Sequence, residues 1–300
     1  MPDNYAPPAP PTLRWVEREL RDGARVVHRQ RLVGGLTAFM DLLTIDAGRG
    51  RFDVVLRRWP ADSEWADGLV EREEAGLRVL ARHDLPVPAP LGFDPTGDAA
   101  GIRCSLTTAL PGQPLLAPSD PDGWVRQLAE ALARIHALPP VLSAEHHGWY
   151  DESADHSWLG DPGLASAAVQ AARGHPAPQQ RSLVHGDYQH FNILWADEQL
   201  SAVVDWPSVG SGQRGLDVGH CRLNLAVLYS AELAEAFLRY YEAAAGVTVD
   251  PRVDLRSLMC FAPGWSRFIP IQVAGRAPVD GAGMAARVTQ TVRAVLRRLG

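Results

Sequence analysis

The sequence predicts an α+β chain in two lobes, a small antiparallel sheet with one main helix followed by a larger, mostly helical lobe. Three observations carry this expectation. Short β-rich runs separated by glycine-marked breaks fill the first third. A single long helical stretch interrupts them. Beyond Pro114, apolar residues recur at helical spacing almost to the end. A chain of 300 residues is long enough for two lobes sharing a cleft.

Taken in order, residues 1–11 read as a disordered tail, because Pro7, Pro8, Pro10 and Pro11 cannot join a regular hydrogen-bond ladder. The first lobe is expected over residues 12–110. Its strands are Arg25 to Leu32, Leu36 to Ile45 and Phe52 to Arg58, with hairpin turns at Gly34-Gly35 and Gly48-Arg49-Gly50. A helix from Glu64 to Arg82 follows and stops before Leu85-Pro86-Val87-Pro88, since proline disfavours helix at the residue preceding it. The strand Ile102 to Thr108 then runs into a turn at Pro111-Gly112. The second lobe is expected over residues 111–300. Asp120 caps a helix with Pro121 in its first turn, and Trp124, Leu128, Leu132 and Ile135 mark its buried stripe. Further helices are predicted over Gly163 to Arg173, Leu216 to Leu228, Ala231 to Ala245, Pro251 to Met259 and Met284 to Leu299. One hairpin interrupts them, Ile193 to Trp195 against Leu200 to Val204 across the polar turn Ala196 to Gln199.

Composition excludes several classes. Hydrophobic residues at 46% and charged residues at 21% are ordinary for a globular protein, so neither a fibrous nor a disordered chain is indicated. A net charge of −6 argues against a nucleic-acid partner, which needs a basic face to displace counterions. Cys104, Cys221 and Cys260 are too few and too scattered for a disulfide framework and read as buried thiols. No apolar run is long enough to span a bilayer, and the proline-rich start lacks a signal pattern, so the chain is expected to be cytoplasmic with no membrane partner.

The chemistry concentrates in Leu183-Val184-His185-Gly186-Asp187-Tyr188-Gln189-His190-Phe191-Asn192, followed by the hairpin and by Asp205-Trp206. If the two hairpin strands pair, their outer ends return Asn192 and Asp205 to one place, and Asp187 lies in the loop entering that end. Two carboxylates and a carboxamide oxygen are hard ligands of the kind Mg²⁺ takes together with substrate phosphates.

At these residues the chain resembles the aminoglycoside phosphotransferase and choline kinase-like group of small-molecule kinases, whose pattern is H-G-D-x-x-x-x-N followed by D-W or D-F. The resemblance implies a two-lobed protein-kinase-like fold and transfer of the γ-phosphate of ATP, a co-substrate, to a hydroxyl of a small molecule, with Mg²⁺ (two ions with ATP bound) as cofactor. It makes Asp187 the catalytic residue that orients the acceptor hydroxyl and makes Asn192 and Asp205 the metal ligands. Phosphoryl transfer of this kind depends on positioning and charge neutralisation more than on proton abstraction. His185 would support the loop, and Asp217, within Gly215 to Arg222, would brace it. Upstream, Gly34 and Gly35 resemble a phosphate-covering loop. Arg57 resembles the phosphate-binding cation, with Arg58 its competitor on the opposite strand face, and Glu73 its ion-pair partner. Main-chain groups of Thr108 and Leu110 would read adenine. His136 is expected to be a satisfied core histidine and His190 a surface or packing residue.

Acceptor choice lies in the segments least like the family. Glu145 to Glu152, with Asp155, Trp158 and Asp161, mixes acids and aromatics that suit a cationic acceptor such as an aminoglycoside, another antibiotic or a different amine, or simply form a pinned loop. Two other readings compete with the kinase. One is a pseudokinase that binds nucleotide without transfer. The other is a zinc or iron hydrolase built on His185, Asp187, His190 and Asp205. Oligomeric state and the choice of ATP over GTP are not encoded in these patterns.

Overall fold

The computed structural model describes residues 5–32, 38–48, 50–60, 66–140, 142–176 and 180–300. They divide into two compact units. One comprises Met1–Pro111 with Ala202–Pro207, and the other Gly112–Ser201 with Ser208–Gly300. The expected turn glycines Gly34 and Gly35 lie outside the described residues.

The first unit is built on a five-stranded antiparallel sheet of β1 (Arg25–Leu32), β2 (Phe39–Ala47), β3 (Gly50–Arg58), β4 (Pro90–Asp94) and β5 (Cys104–Thr108), in the order β1-β2-β3-β5-β4. Side chains alternate between faces, so register decides what each face carries. Leu43 stands opposite Val54 and Asp41 opposite Leu56. Leu43, Ile45, Val54, Leu56 and Leu106 pack beneath Trp15 and Val16 of α1 (Pro10–Leu20). On the other face, Arg57 stands opposite Ser105 of β5, and α2 (Leu69–Leu80) buries Val70, Glu73, Leu77 and Leu80.

Helix α1 corrects the expected tail. Pro10 and Pro11 occupy its first turn, where an amide donor has no intrahelical acceptor to lose, and Pro8 is already buried. Strand β4 was also absent from the sequence reading, because Pro90 and Gly92 are poor strand formers.

The second unit is mostly helical: α3 (Pro121–His136), α4 (Pro162–Arg173), α5 (Arg214–Leu228), α6 (Ala231–Ala245), α7 (Pro251–Leu258), α8 (Trp265–Val273) and α9 (Met284–Leu299). Asp120 caps α3 by accepting from Gly123 N–H at 3.1 Å. Asp161 caps α4, Ser230 α6 and Asp250 α7 in the same way. Helix α5 is buried around most of its circumference and forms the centre of the unit. Helix α8 was not predicted, since Pro270 lies inside it. A second two-stranded pair, β6 (Ser182–Val184) with β9 (Gly210–Gly212), was missed because strands of three residues carry no periodicity. The expected hairpin is β7 (Ile193–Ala196) with β8 (Gln199–Val203), and its turn places Asp197 and Glu198 at φ values of 50° and 57°. Among the described residues no helix is long and apolar enough to cross a membrane.

Candidate active site

In the first unit the charged residues sort by strand face. Arg58 points to the α1 face, where its Nη2 pairs with the buried Asp41 at 2.7 Å and also donates to the Ala6 carbonyl at 2.8 Å. Arg57 points the other way, and its Nη1 lies 2.7 Å from Asp205 Oδ1 and 3.5 Å from Glu73 Oε1. The competition left open by sequence is therefore resolved, with Arg57 as the partner of Glu73. Glu73 also accepts from the Ser105 hydroxyl at 2.7 Å. Burial pushes the Glu73 carboxyl up from its ordinary range, against the opposing pull of Arg57 and Ser105.

Asp205 is the most accessible member of this group, its side chain 41% exposed, and its backbone lies at φ 73°. That left-handed conformation is uncommon for a residue with a side chain, though aspartate tolerates it better than most. At the end of β5, Thr108 N–H is committed to the Ala89 carbonyl at 3.1 Å and its hydroxyl accepts from Ala89 N–H. Its carbonyl is therefore the main-chain group that the adenine reading would use. Leu110, two residues on, is half-buried.

In the second unit, β6 delivers the chain into His185-Gly186-Asp187 and β7 carries it away after Asn192. Gly186 sits at φ 84°, and a Cβ there would collide with the Ser208 carbonyl, so the middle residue of the motif must be glycine. Asp217, on the first turn of α5, holds the loop by its backbone. It accepts from His185 N–H at 2.7 Å and Gly186 N–H at 2.8 Å, and His136 Nε2 lies 3.0 Å away. Burial opposes the charge on Asp217, yet His136 first, with His185 and His146, holds its carboxyl down at about 2. His136 is wholly buried between Asp217 and the Tyr241 hydroxyl at 2.7 Å, the satisfied core histidine expected from its helix position. Within the loop, His185 Nδ1 accepts from Asp187 N–H at 3.2 Å.

The Asp187 carboxylate has three side-chain partners. Gln189 Nε2 and His220 Nε2 each lie 2.8 Å from Oδ1, and Asn192 Nδ2 lies 3.1 Å from Oδ2. Burial works against its charge, but His220, His185 and Asn192 together hold the carboxyl below the usual carboxylate range. Asn192 Nδ2 also donates to the Asp187 carbonyl at 2.9 Å. With its nitrogen tied down, Asn192 keeps its amide oxygen available as a hard ligand, which fits a magnesium ion.

Sequence reasoning missed His220 and Gln189. His220 follows Asp217 by three residues on one helix, a spacing that puts both on one face, and that was the available signal. His190 is wholly buried beside Phe191, Trp124 and Tyr229, with ring centroids 4.2, 6.0 and 5.4 Å away. Neither of its ring nitrogens has a hydrogen-bond partner among the described residues, and burial lowers its pKa to about 3. A packing role fits it and a surface role does not. Among the described residues no group of three His, Cys, Asp or Glu side chains has a geometry that could hold a metal ion.

The fold recurs in solved phosphotransferases. A ternary complex of a thermostable mutant of aminoglycoside phosphotransferase APH(4)-Ia with ADP and hygromycin B is 18% identical, with a TM-score of 0.59 over 95% of this chain and 97% of that one. Macrolide 2′-phosphotransferase MphH from Brachybacterium faecium is 18% identical, with a TM-score of 0.55 over 91% and 96% of the two chains. These likenesses define a kinase-like α+β fold. A family model described as the phosphotransferase enzyme family matches residues 37–255, and the chain belongs to that family. Homoserine kinase of Azorhizobium caulinodans is 25% identical over 178 residues, which are 54% of this chain and 53% of the relative. The chain spans between 18% and 53% of the length of the first curated relatives it matches.

Proposed function

We propose that this protein is an ATP- and Mg²⁺-dependent phosphotransferase that moves the γ-phosphate to a hydroxyl of a small molecule. The observation that carries the reading is the Asp187 carboxylate. It is kept ionised and held by three side-chain hydrogen bonds, on a loop whose backbone is clamped by a second carboxylate, Asp217. Such an arrangement orients an acceptor hydroxyl, the main task a protein has in phosphoryl transfer.

Bound Mg²⁺-ATP supplies the phosphoryl group and the charge neutralisation. The chain's own residues supply the rest. Asn192 offers its amide oxygen and Asp205 its carboxylate as metal ligands. Arg57, positioned by Glu73, neutralises phosphate charge. Gly34 and Gly35 cover the phosphates, and the Thr108 carbonyl and Leu110 amide read adenine. Similar proteins carry names tied to homoserine, hygromycin B and macrolides, all of which present hydroxyls, so aminoglycosides and other antibiotics head the acceptor panel.

Purified protein should release ADP from Mg²⁺-ATP when the correct hydroxyl compound is added. Replacing Asp187 by Asn should lower kcat by about 10²- to 10⁴-fold without unfolding the protein. The pseudokinase alternative predicts nucleotide binding, seen as a rise in melting temperature, with no product across the panel.

A further inference from the structure

We propose that His220 is the positioning residue for Asp187, and that it dictates which carboxylate oxygen receives the acceptor hydroxyl. The inference rests on the kinase reading and adds a residue to it. His220 Nε2 lies 2.8 Å from Asp187 Oδ1, which also accepts from Gln189 Nε2 at 2.8 Å. A carboxylate oxygen offers two lone-pair sites. Both sites on Oδ1 are taken. Oδ2 accepts only Asn192 Nδ2, at 3.1 Å, among the described residues, which leaves one site for an incoming hydroxyl. The acceptor therefore donates to Oδ2.

Helix α5 makes this device possible. Asp217 and His220 share one face of it, so the same rigid element clamps the loop backbone at His185 and Gly186 and the catalytic side chain at Oδ1. One turn further on, Asn224 Nδ2 donates to the His220 carbonyl at 3.0 Å and lies 3.3 Å from Nε2. Gly219, next to His220, has no room for a Cβ against the Asp254 carbonyl of α7, so α5 is seated closely on its neighbour. The imidazole is mostly covered, with 14% of its side chain exposed. It therefore has a narrow range of orientations and gives the carboxylate a fixed donor.

The test is a pair of replacements of similar volume. His220→Leu removes the donor and His220→Gln keeps an N–H of similar reach. Loss of alignment at the reacting oxygen should lower kcat by roughly 10²-fold in His220→Leu, with the KM for ATP within about twofold of wild type. His220→Gln should recover most of the rate. Equal impairment in both folded variants would reduce His220 to a packing residue, and an unimpaired His220→Leu would overturn the proposal outright.

A second readout is independent of turnover. In ¹⁵N-edited spectra of the histidine rings, the His220 Nε2–H signal should shift when Asp187 is replaced by Ala. A signal indifferent to that replacement would show that the bond does not exist. A wild type that transfers phosphate to no hydroxyl, while the ring signal does respond, would sink the kinase reading and the catalytic meaning of the bond, though the bond itself would stand.

Discussion

Two buried carboxylates, one in each unit, behave in opposite ways. Asp217 has two backbone N–H donors and a histidine within 3.0 Å and stays ionised with a pKa of about 2. Glu73 has one hydroxyl donor, and its arginine, at 3.5 Å, lies closer to Asp205, so burial prevails and its pKa rises. A buried carboxylate keeps its charge only when donors replace the water it has lost. The loop at His185 and Gly186 is thus held by an ionised carboxylate, whereas the charge on Glu73 is only partly compensated by Arg57 and Ser105.

The comparison breaks most sharply under mutation of Asp217. Asp217→Ala strips partners from two buried amides and from His136, and should cost about 3–5 kcal/mol in urea unfolding. Asp217→Asn, which keeps an acceptor, should cost less. Arg58→Ala should be similarly damaging, about 3–5 kcal/mol, because it abandons the buried Asp41. Arg57→Ala should instead spare most of the stability and raise the KM for ATP roughly tenfold, as expected from the loss of a charge-assisted phosphate contact.

Acid sharpens the same contrast. Asp217 has a folded pKa below its unfolded value, so its contribution is present above about pH 4 and fades as pH falls toward 2, an effect on the order of 2 kcal/mol. His190 is also depressed, from 6.5 to about 3, but as a base kept neutral. The unfolded chain takes up its proton first, so stability falls as pH drops below 6.5. His190→Phe should remove on the order of 3 kcal/mol of that loss by pH 4 in thermal melts. Glu73→Gln is expected to be the mildest change, below about 1 kcal/mol in stability, because burial has already disfavoured the charge it removes.

Much of the geometry of this candidate site could be read from the sequence because Leu183 to Asn192 form one contiguous segment. Glycine at 186 is demanded by a positive φ, and Asp187 and Asn192 hydrogen-bond to each other as their five-residue spacing allowed. The choice between Arg57 and Arg58 could not be read, because strand alternation says that they diverge but not which face holds the partner. That depends on Asp41, brought to one face by the β2–β3 register, and on Glu73 from α2 on the other. His220 was hidden for a related reason: it lies 33 positions beyond Asp187 in the chain, and only the seating of α5 brings it to the loop. Helix α1 was lost to its prolines, although Trp15 and Val16 already marked a buried face. Prolines end helices from within and start them from the first turn, and composition alone does not separate the two.

The most direct measurement is a ³¹P NMR spectrum of the protein with Mg²⁺-ATP and a panel of hydroxylated compounds, run beside folded Asp187→Asn. A new phosphate monoester resonance should grow with ADP in the wild type and be nearly absent in the variant. Ester formed equally well by both proteins, or no ester from any acceptor while nucleotide is bound, would contradict the kinase reading.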